Sequence, residues 1–391
     1  SNALETDIAN RIREQFKRDG HDRDDAAVGA RFGILGVSSA RLAEDDVLLL
    51  DVAIQRPLGE NELPELYDAV AGALRNTRAF DASVQPRIVL YIDGMPAYEA
   101  VCKNQESIAK DNTRPGVGQD VLVINAAHGV YRHYFRDSKP LWIAQRAMQN
   151  GIVEDFLTPV FAERLRDILS AGRIDGTNRI HLIRQAHSPN DADSGRAWID
   201  LAGLYALRRT MPGRTDVWGF SCRNPDDIAG DPLREKYYDT SARPRFANVI
   251  GADGIINLHT NADCRPLWRS ERRAKADNGC PRGQTVNAAA TGMTVFYAPN
   301  SPISKTLSDL IVCTSKQILS AHYPDYRIGK PAPRTDLAEL FLARKASVVV
   351  ELGFHTNPSD AALLKTSEFQ TLSMQAVAKA WERYVDGERC E

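Results

Sequence analysis

The sequence predicts an α/β protein: a mixed, mostly parallel sheet flanked by helices, preceded by a small α+β domain. Three observations lead there. From residue 120 onward, short β-branched or apolar runs alternate with amphipathic stretches, the pattern of strand–helix repeats. The last run, Ser347-Val348-Val349-Val350, has the composition of a strand buried on both faces. A polar stretch with Pro and Gly near its end, residues 103–119, separates this region from a smaller ββαβ pattern before it.

The chain has 391 residues, too many for one small core, so two domains are expected. Residues 1–3 (Ser-Asn-Ala) read as the scar of a cleaved expression tag, which leaves the natural start of the chain unknown. Residues 4–102 form the N-terminal α/β unit, 103–119 the linker and 120–391 the larger domain. A hydrophobic fraction of 43% with 26% charged residues is that of a globular protein in water. A net charge of -2 gives no global attraction to nucleic acid, and no apolar run reaches the ~20 residues of a membrane span.

In the N-terminal unit, Leu4, Ile8, Ile12 and Phe16 recur at helical spacing. Residues 32–37 and 47–54 read as strands around the turn at Glu44-Asp45-Asp46. Leu63, Leu66, Val70 and Leu74 line one side of a helix, and residues 87–92 form a further strand. No catalytic pattern occurs there; targeting or partner binding is expected.

In the larger domain, residues 121–125 are a strand followed by Ala126-Ala127-His128-Gly129. Residues 151–169 are a helix whose buried face is read as Val153, Phe156, Leu157, Val160, Phe161, Leu165 and Ile168. Residues 179–184 form a short strand; 187–240, rich in Gly, Pro, Asp and Arg, resists placement. Residues 242–250 suggest a helix, 254–258 a strand ending in His259, 264–287 a basic loop, 292–297 a strand and 302–321 a helix. The strand 347–350 ends in Glu351, Asn357 opens a turn and helix, and Ser367 with Gln370 are spaced as a capping box for the last helix.

Three strands thus end near His128, His259 and Glu351. The C-terminal ends of parallel strands share one rim, where open α/β sheets keep their ligand sites. Imidazole nitrogen and carboxylate oxygen suit zinc, and three protein ligands leave a position open for water. On chemistry alone two readings stand: a metal site, or strand-end histidines and a strand-end charge with no such role. Six cysteines without a C-x-x-C pair argue against a zinc knuckle. Cys264 and Cys280, bracketing the basic loop, are the candidate disulfide; Cys102, Cys222, Cys313 and Cys390 could be paired or free.

Four segments resemble the signature blocks of the zinc-dependent N-acetylmuramoyl-L-alanine amidases of bacterial cell walls. They are V-L-V-I-N-A-A-H-G, N-G-I-V-E-D-F-L, A-N-V-I-G-A-D-G-I-I-N-L-H-T-N-A and V-V-V-E-L-G-F-H-T-N-P-S-D, in the family's order. The resemblance, spanning about residues 121–385, implies one Zn²⁺ held by His128, Glu154 and His259, with Glu351 as the catalytic acid–base. It implies hydrolysis of the amide between N-acetylmuramic acid and L-alanine in peptidoglycan, hence work in the periplasm or outside the cell. Asn261, Arg245 and His355, in or beside the blocks, are candidate substrate contacts; His133 and His187 are bystanders. Glu154 is preferred over Asp155 as ligand because it borders the apolar helix face while Asp155 is read as pointing away. Peptidoglycan or muropeptides are the expected partners, with a regulatory protein or wall contact through the N-terminal unit.

The sequence departs from the family at Ala126-Ala127-His128-Gly129-Val130, where relatives show Pro-Gly-His-Gly-Gly, and in an insertion at residues 185–241. That insertion could shape a groove, inhibit the site, or merely elaborate the surface. The alternatives to an amidase are another zinc peptidase, such as a carboxypeptidase, and an inactive wall-binding relative.

Overall fold

The computed structural model describes residues 5–10, 12, 32–60, 62–75, 86–102, 108–115, 120–134, 141–172, 179–222, 234–266 and 284–390. The tag scar, Leu4 and Phe16 lie outside them; Ile8 and Ile12 are helical and fully buried.

The N-terminal unit is a four-stranded sheet with strands in sequence order. β1 (Ile34–Leu42) pairs antiparallel with β2 (Leu48–Ile54), and β3 (Ile88–Ile92) lies parallel to β2 after the crossover helix α1 (Glu62–Arg75). A short β4 (Met95–Pro96) and α2 (Ala97–Val101) follow. The predicted stripe of α1 (Leu63, Leu66, Val70 and Leu74) is fully buried in one core with Leu48, Leu50, Val52 and Leu90.

The larger unit holds a six-stranded sheet. In chain order its strands are β5 (Leu122–Ala126), β8 (Ile180–Leu182), β9 (Gly254–Asn261), β12 (Thr294–Tyr297), β13 (Ala332–Pro333) and β14 (Ala346–Phe354), arranged β13-β12-β14-β9-β5-β8. Every pair is parallel except β12 with β14. The strands read as unbroken apolar runs because both faces are covered. Leu122 and Ile124 join a core closed by α3 (Glu154–Gly172), α7 (Pro302–His322) and α10 (Ser367–Val385). Val123, between them, joins a second core containing Ala242 and Ala247 of α6 (Arg234–Val249). At the start of β9, a Cβ on Gly254 would come within 2.4 Å of the Trp381 ring, so only glycine lets α10 pack this closely.

Several expectations are corrected. β9 and β14 do not end at His259 and Glu351; both strands continue, and the two residues sit side by side in parallel register. Phe156 and Val160 of α3 are exposed at 42% and 37%, so the apolar face is narrower than the periodicity suggests. The cap of α10 is Thr366, whose side chain accepts from the Phe369 N–H, while Gln370 donates to the Leu364 carbonyl. The Asn357 cap of α9 (Pro358–Leu364) forms as expected. The 187–240 region contains α4 (Gly203–Thr210), α5 (Thr215–Trp218) and the start of α6. The 264–287 segment carries a hairpin of β10 (Cys264–Pro266) and β11 (Gln284–Val286); the basic residues between them lie outside the described residues.

The linker is no loose tether where it is described. Lys110 donates to the Leu340, Phe341 and Ala343 carbonyls, at 2.6–2.8 Å. The two units share a seam. The Thr335 hydroxyl donates to the Leu90 carbonyl at 2.6 Å and accepts from the Leu90 N–H at 3.2 Å. Ala338 and Leu342 enter the N-terminal core. Cys102 is disulfide-bonded to Cys222, with Cα atoms 5.0 Å apart, and Cys313 to Cys390 at 6.2 Å. Cys264 is also disulfide-bonded; Cys280 lies outside the described residues.

Candidate metal centre

The chain leaves β5 and reaches His128 through Ala127, both buried. Gly129 follows at φ +102, a region open mainly to glycine, with the Ala202 backbone where a Cβ would lie. The chain then enters β6 (Val130–His133), paired with β7 (Leu141–Ala144) and bridged to Leu201. Val130, which stands at the last glycine of the Pro-Gly-His-Gly-Gly pattern, thus starts a strand, and the insertion packs beside this loop.

Three neighbours fix the loop. The buried Arg184 guanidinium donates to the Ala126, Asp155 and Ile199 carbonyls. The Thr158 hydroxyl donates to the Ala127 carbonyl. Asp155 is fully buried, not turned outward as its helical position suggests. Its carboxylate accepts from the Gly129, Gln145 and Arg146 N–H groups at 2.8–2.9 Å, which holds the segments on both sides of the β6–β7 pair.

His128, Glu154 and His259 converge: their ligand-capable atoms lie within 4.8 Å of one another and all three residues are buried. Glu154 Oε1 is 3.6 Å from His128 Nε2 and 3.2 Å from His259 Nδ1, and accepts from the Thr260 N–H. Oε2 accepts from Arg146 Nε at 3.2 Å. Among the described residues, both ring nitrogens of His128 and Nε2 of His259 have no hydrogen-bond partner. Buried imidazoles rarely remain so unless something else binds them.

Electrostatics agrees with a cation site. Burial, then the Arg146 charge, hold His128 well below the usual histidine value, as the neutral, metal-binding form. For Glu154 burial acts upward, but the His259 hydrogen bond and Arg146 outweigh it and keep the carboxylate ionised. For His259 burial acts downward, and Glu154 and Glu351 outweigh it. A proton on His259 and a metal cation are alternative ways to neutralise that negative charge. One metal ion held by His128, Glu154 and His259 therefore fits the donor set; two nitrogens and one oxygen suit zinc.

Glu351 faces the same space. Burial raises its carboxyl to about 7, with His259 opposing and Glu154 reinforcing, and its Oε2 has no hydrogen-bond partner among the described residues. His355 shares a 2.9 Å hydrogen bond with the Thr260 hydroxyl and lines the cavity, as does Asn261. Arg245 does not: its Nε donates to the Asp216 carbonyl and its guanidinium lies over the Phe220 ring. The cavity, about 530 Å³, is also lined by Arg146, Lys236, Arg334 and Glu339. Sequence reasoning passed over these. Arg146 alone left a trace, as a basic residue shortly before the block that carries Glu154. A further buried set adjoins the cluster: Arg243 bridges Asp239 and Glu339, whose Oε1 lies 3.9 Å from His259 Nε2.

A helix-flanked mixed sheet with this cluster on its rim is an α/β domain with a candidate metal centre. Residues 223–383 match the family described as N-acetylmuramoyl-L-alanine amidase. The N-acetylmuramoyl-L-alanine amidase Rv3717 of Mycobacterium tuberculosis (strain ATCC 25618 / H37Rv) is 31% identical over 148 residues, 37% of this chain and 52% of the relative. Residues 223–383 are thus similar to this amidase family, and the chain spans about half the length of that relative. Among solved structures, Ami1 from Mycobacterium abscessus in its apo form is similar at 16% identity and a TM-score of 0.41, covering 68% of this chain and 98% of that one. The CwlD amidase from Clostridioides difficile, in complex with the GerS lipoprotein, is similar at 14% identity and 0.41, covering 69% and 100%. His259, Glu351 and His355 fall inside the matched residues; His128 and Glu154 precede them.

Proposed function

We propose that the chain hydrolyses the amide between the lactyl carbonyl of N-acetylmuramic acid and the L-alanine of the stem peptide in peptidoglycan. The observation that carries this reading is the buried His128–Glu154–His259 cluster with Glu351 beside it in a single cavity. A Zn²⁺ bound by those three side chains would supply a Lewis acid that polarises the carbonyl and makes water more acidic. Glu351 is the acid–base: it accepts a proton as water adds to the carbonyl carbon, then gives it to the alanine nitrogen as the C–N bond breaks. Its burial and elevated basicity suit both halves of that transfer. Arg146, on Glu154, holds the ligand carboxylate ionised.

Such a substrate lies beyond the cytoplasmic membrane, and the disulfides suit an oxidising compartment. No helix among the described residues is long and apolar enough to cross a membrane.

The test combines metal analysis with digestion of purified sacculi and defined muropeptides. The expected result is one zinc per chain and release of stem peptides with a free L-alanine amine. Cleavage of free peptides in preference to muramyl-linked ones would favour a peptidase; sacculus binding without turnover would favour an inactive binder.

A further inference from the structure

The cavity has a wall that the reaction above does not use. Besides the sheet rim, α1 of the N-terminal unit lines it with Pro64, Glu65, Asp68 and Ala69. This wall is fixed in place. Tyr67, just before Asp68, is buried and lies 3.2 Å beneath the Arg334 guanidinium of the larger unit. Thr335 bonds to β3, and the Cys102–Cys222 disulfide spans the seam.

Most charges around the cavity are matched internally. Arg334 makes a two-pronged ion pair with Asp336, Glu339 is held by Arg243, Arg146 by Glu154, and Glu60 accepts from Ser221 and the Cys222 N–H. Asp68 differs. Its carboxylate is exposed to the cavity, and among the described residues it has no hydrogen-bond or ion-pair partner. Reduced solvation within the cavity raises its carboxyl to about 6, and Arg334 and Arg146 oppose this only through space. In the same cavity the partnerless imidazole of His128, 6% exposed, marks where the reacting carbonyl belongs. The cavity volume is that of a typical small-ligand site, and it runs from the cluster to the α1 wall.

We propose that Asp68 is a specificity residue that receives a primary ammonium on the peptide portion of the substrate, such as the side-chain amine of a diamino acid. This rests on the amidase reading above. An ammonium brings three donors and a full charge to a carboxylate lacking both, and a confined cavity strengthens such a pair. An acylated amine of the same position keeps the atoms but loses the charge. The N-terminal unit is then part of the substrate site.

The test uses the full-length, zinc-loaded protein and two muropeptides that differ only in a free or N-acetylated side-chain amine. The wild type is expected to prefer the free amine by about tenfold to a hundredfold in kcat/KM, mostly through KM. Inhibition by the two released peptides should rank the same way. Asp68→Asn should erase the preference and Asp68→Glu should restore part of it. Equal wild-type rates on the two substrates, or a preference that survives Asp68→Asn, overturns the ammonium site while leaving the amidase intact. Hydrolysis of neither substrate by the wild type overturns the amidase reading, and the ammonium site with it. If Asp68→Asn does not fold, the pair of wild-type rates decides.

Discussion

The two sides of the cavity are built differently. The sheet side is made by one buried framework: β5, β9 and β14 lie next to one another, His259 and Glu351 inherit their spacing from strand register, and His128 follows β5 on a loop pinned by Arg184, Thr158 and Asp155. The α1 side is made by docking one unit on another, through Thr335, Arg334 over Tyr67, and a disulfide. The geometry of the candidate centre therefore depends on core packing, whereas the shape and charge of the cavity's other wall depend on a seam. Damage to the two sides should separate chemistry from recognition.

The largest effect is expected from Glu351→Gln on the sheet side. Loss of the acid–base should lower kcat by roughly 10²–10⁴, with zinc content and melting temperature near wild type; normal turnover would remove Glu351 from the chemistry. His128→Ala should lose both zinc and turnover. Asp155→Ala comes next. It leaves the N–H groups of Gly129, Gln145 and Arg146 without their acceptor, the first of them buried, so stability should fall by about 2 kcal/mol and zinc affinity by roughly 10–100-fold. Denaturant melts and competitive chelation measure the two. At the seam, replacing Cys102 and Cys222 together by alanine should cost about 2–4 kcal/mol and raise KM more than it lowers kcat. A fall confined to kcat would show that the seam serves the chemistry after all. Thr335→Val, which removes one hydroxyl from the same seam, should cost about 1 kcal/mol and shift KM in the same direction.

The sequence made the sheet side legible because burial on both faces forces uninterrupted apolar runs, and the residues that break those runs stand out. Glu154 was legible as an acid in the first turn of a helix. Asp155 was misread because a helical wheel counts side chains only, and its partners are main-chain N–H groups of Gly129, Gln145 and Arg146. α6 was half missed because it buries Glu235, Asp239 and Arg243, charges that satisfy one another or neighbouring side chains and leave no apolar stripe. The place of α1 was illegible for a different reason. Its amphipathic pattern reports the core beneath it, while its contribution to the cavity arises from contacts such as Leu90 with Thr335, 245 residues apart. Cysteine spacing likewise carried no hint of Cys102 with Cys222 or Cys313 with Cys390.

The Cys102–Cys222 bond has a practical corollary. It ties residues 120 positions apart into a covalent ring that includes the whole 103–119 segment. A protease that nicks the chain there once releases nothing: the fragments stay joined and separate on a gel only after reduction. Deleting the first 119 residues, the obvious way to isolate the larger unit, does more than remove a wall. It strips Cys222 of its partner and creates a thiol through which two truncated copies can cross-link.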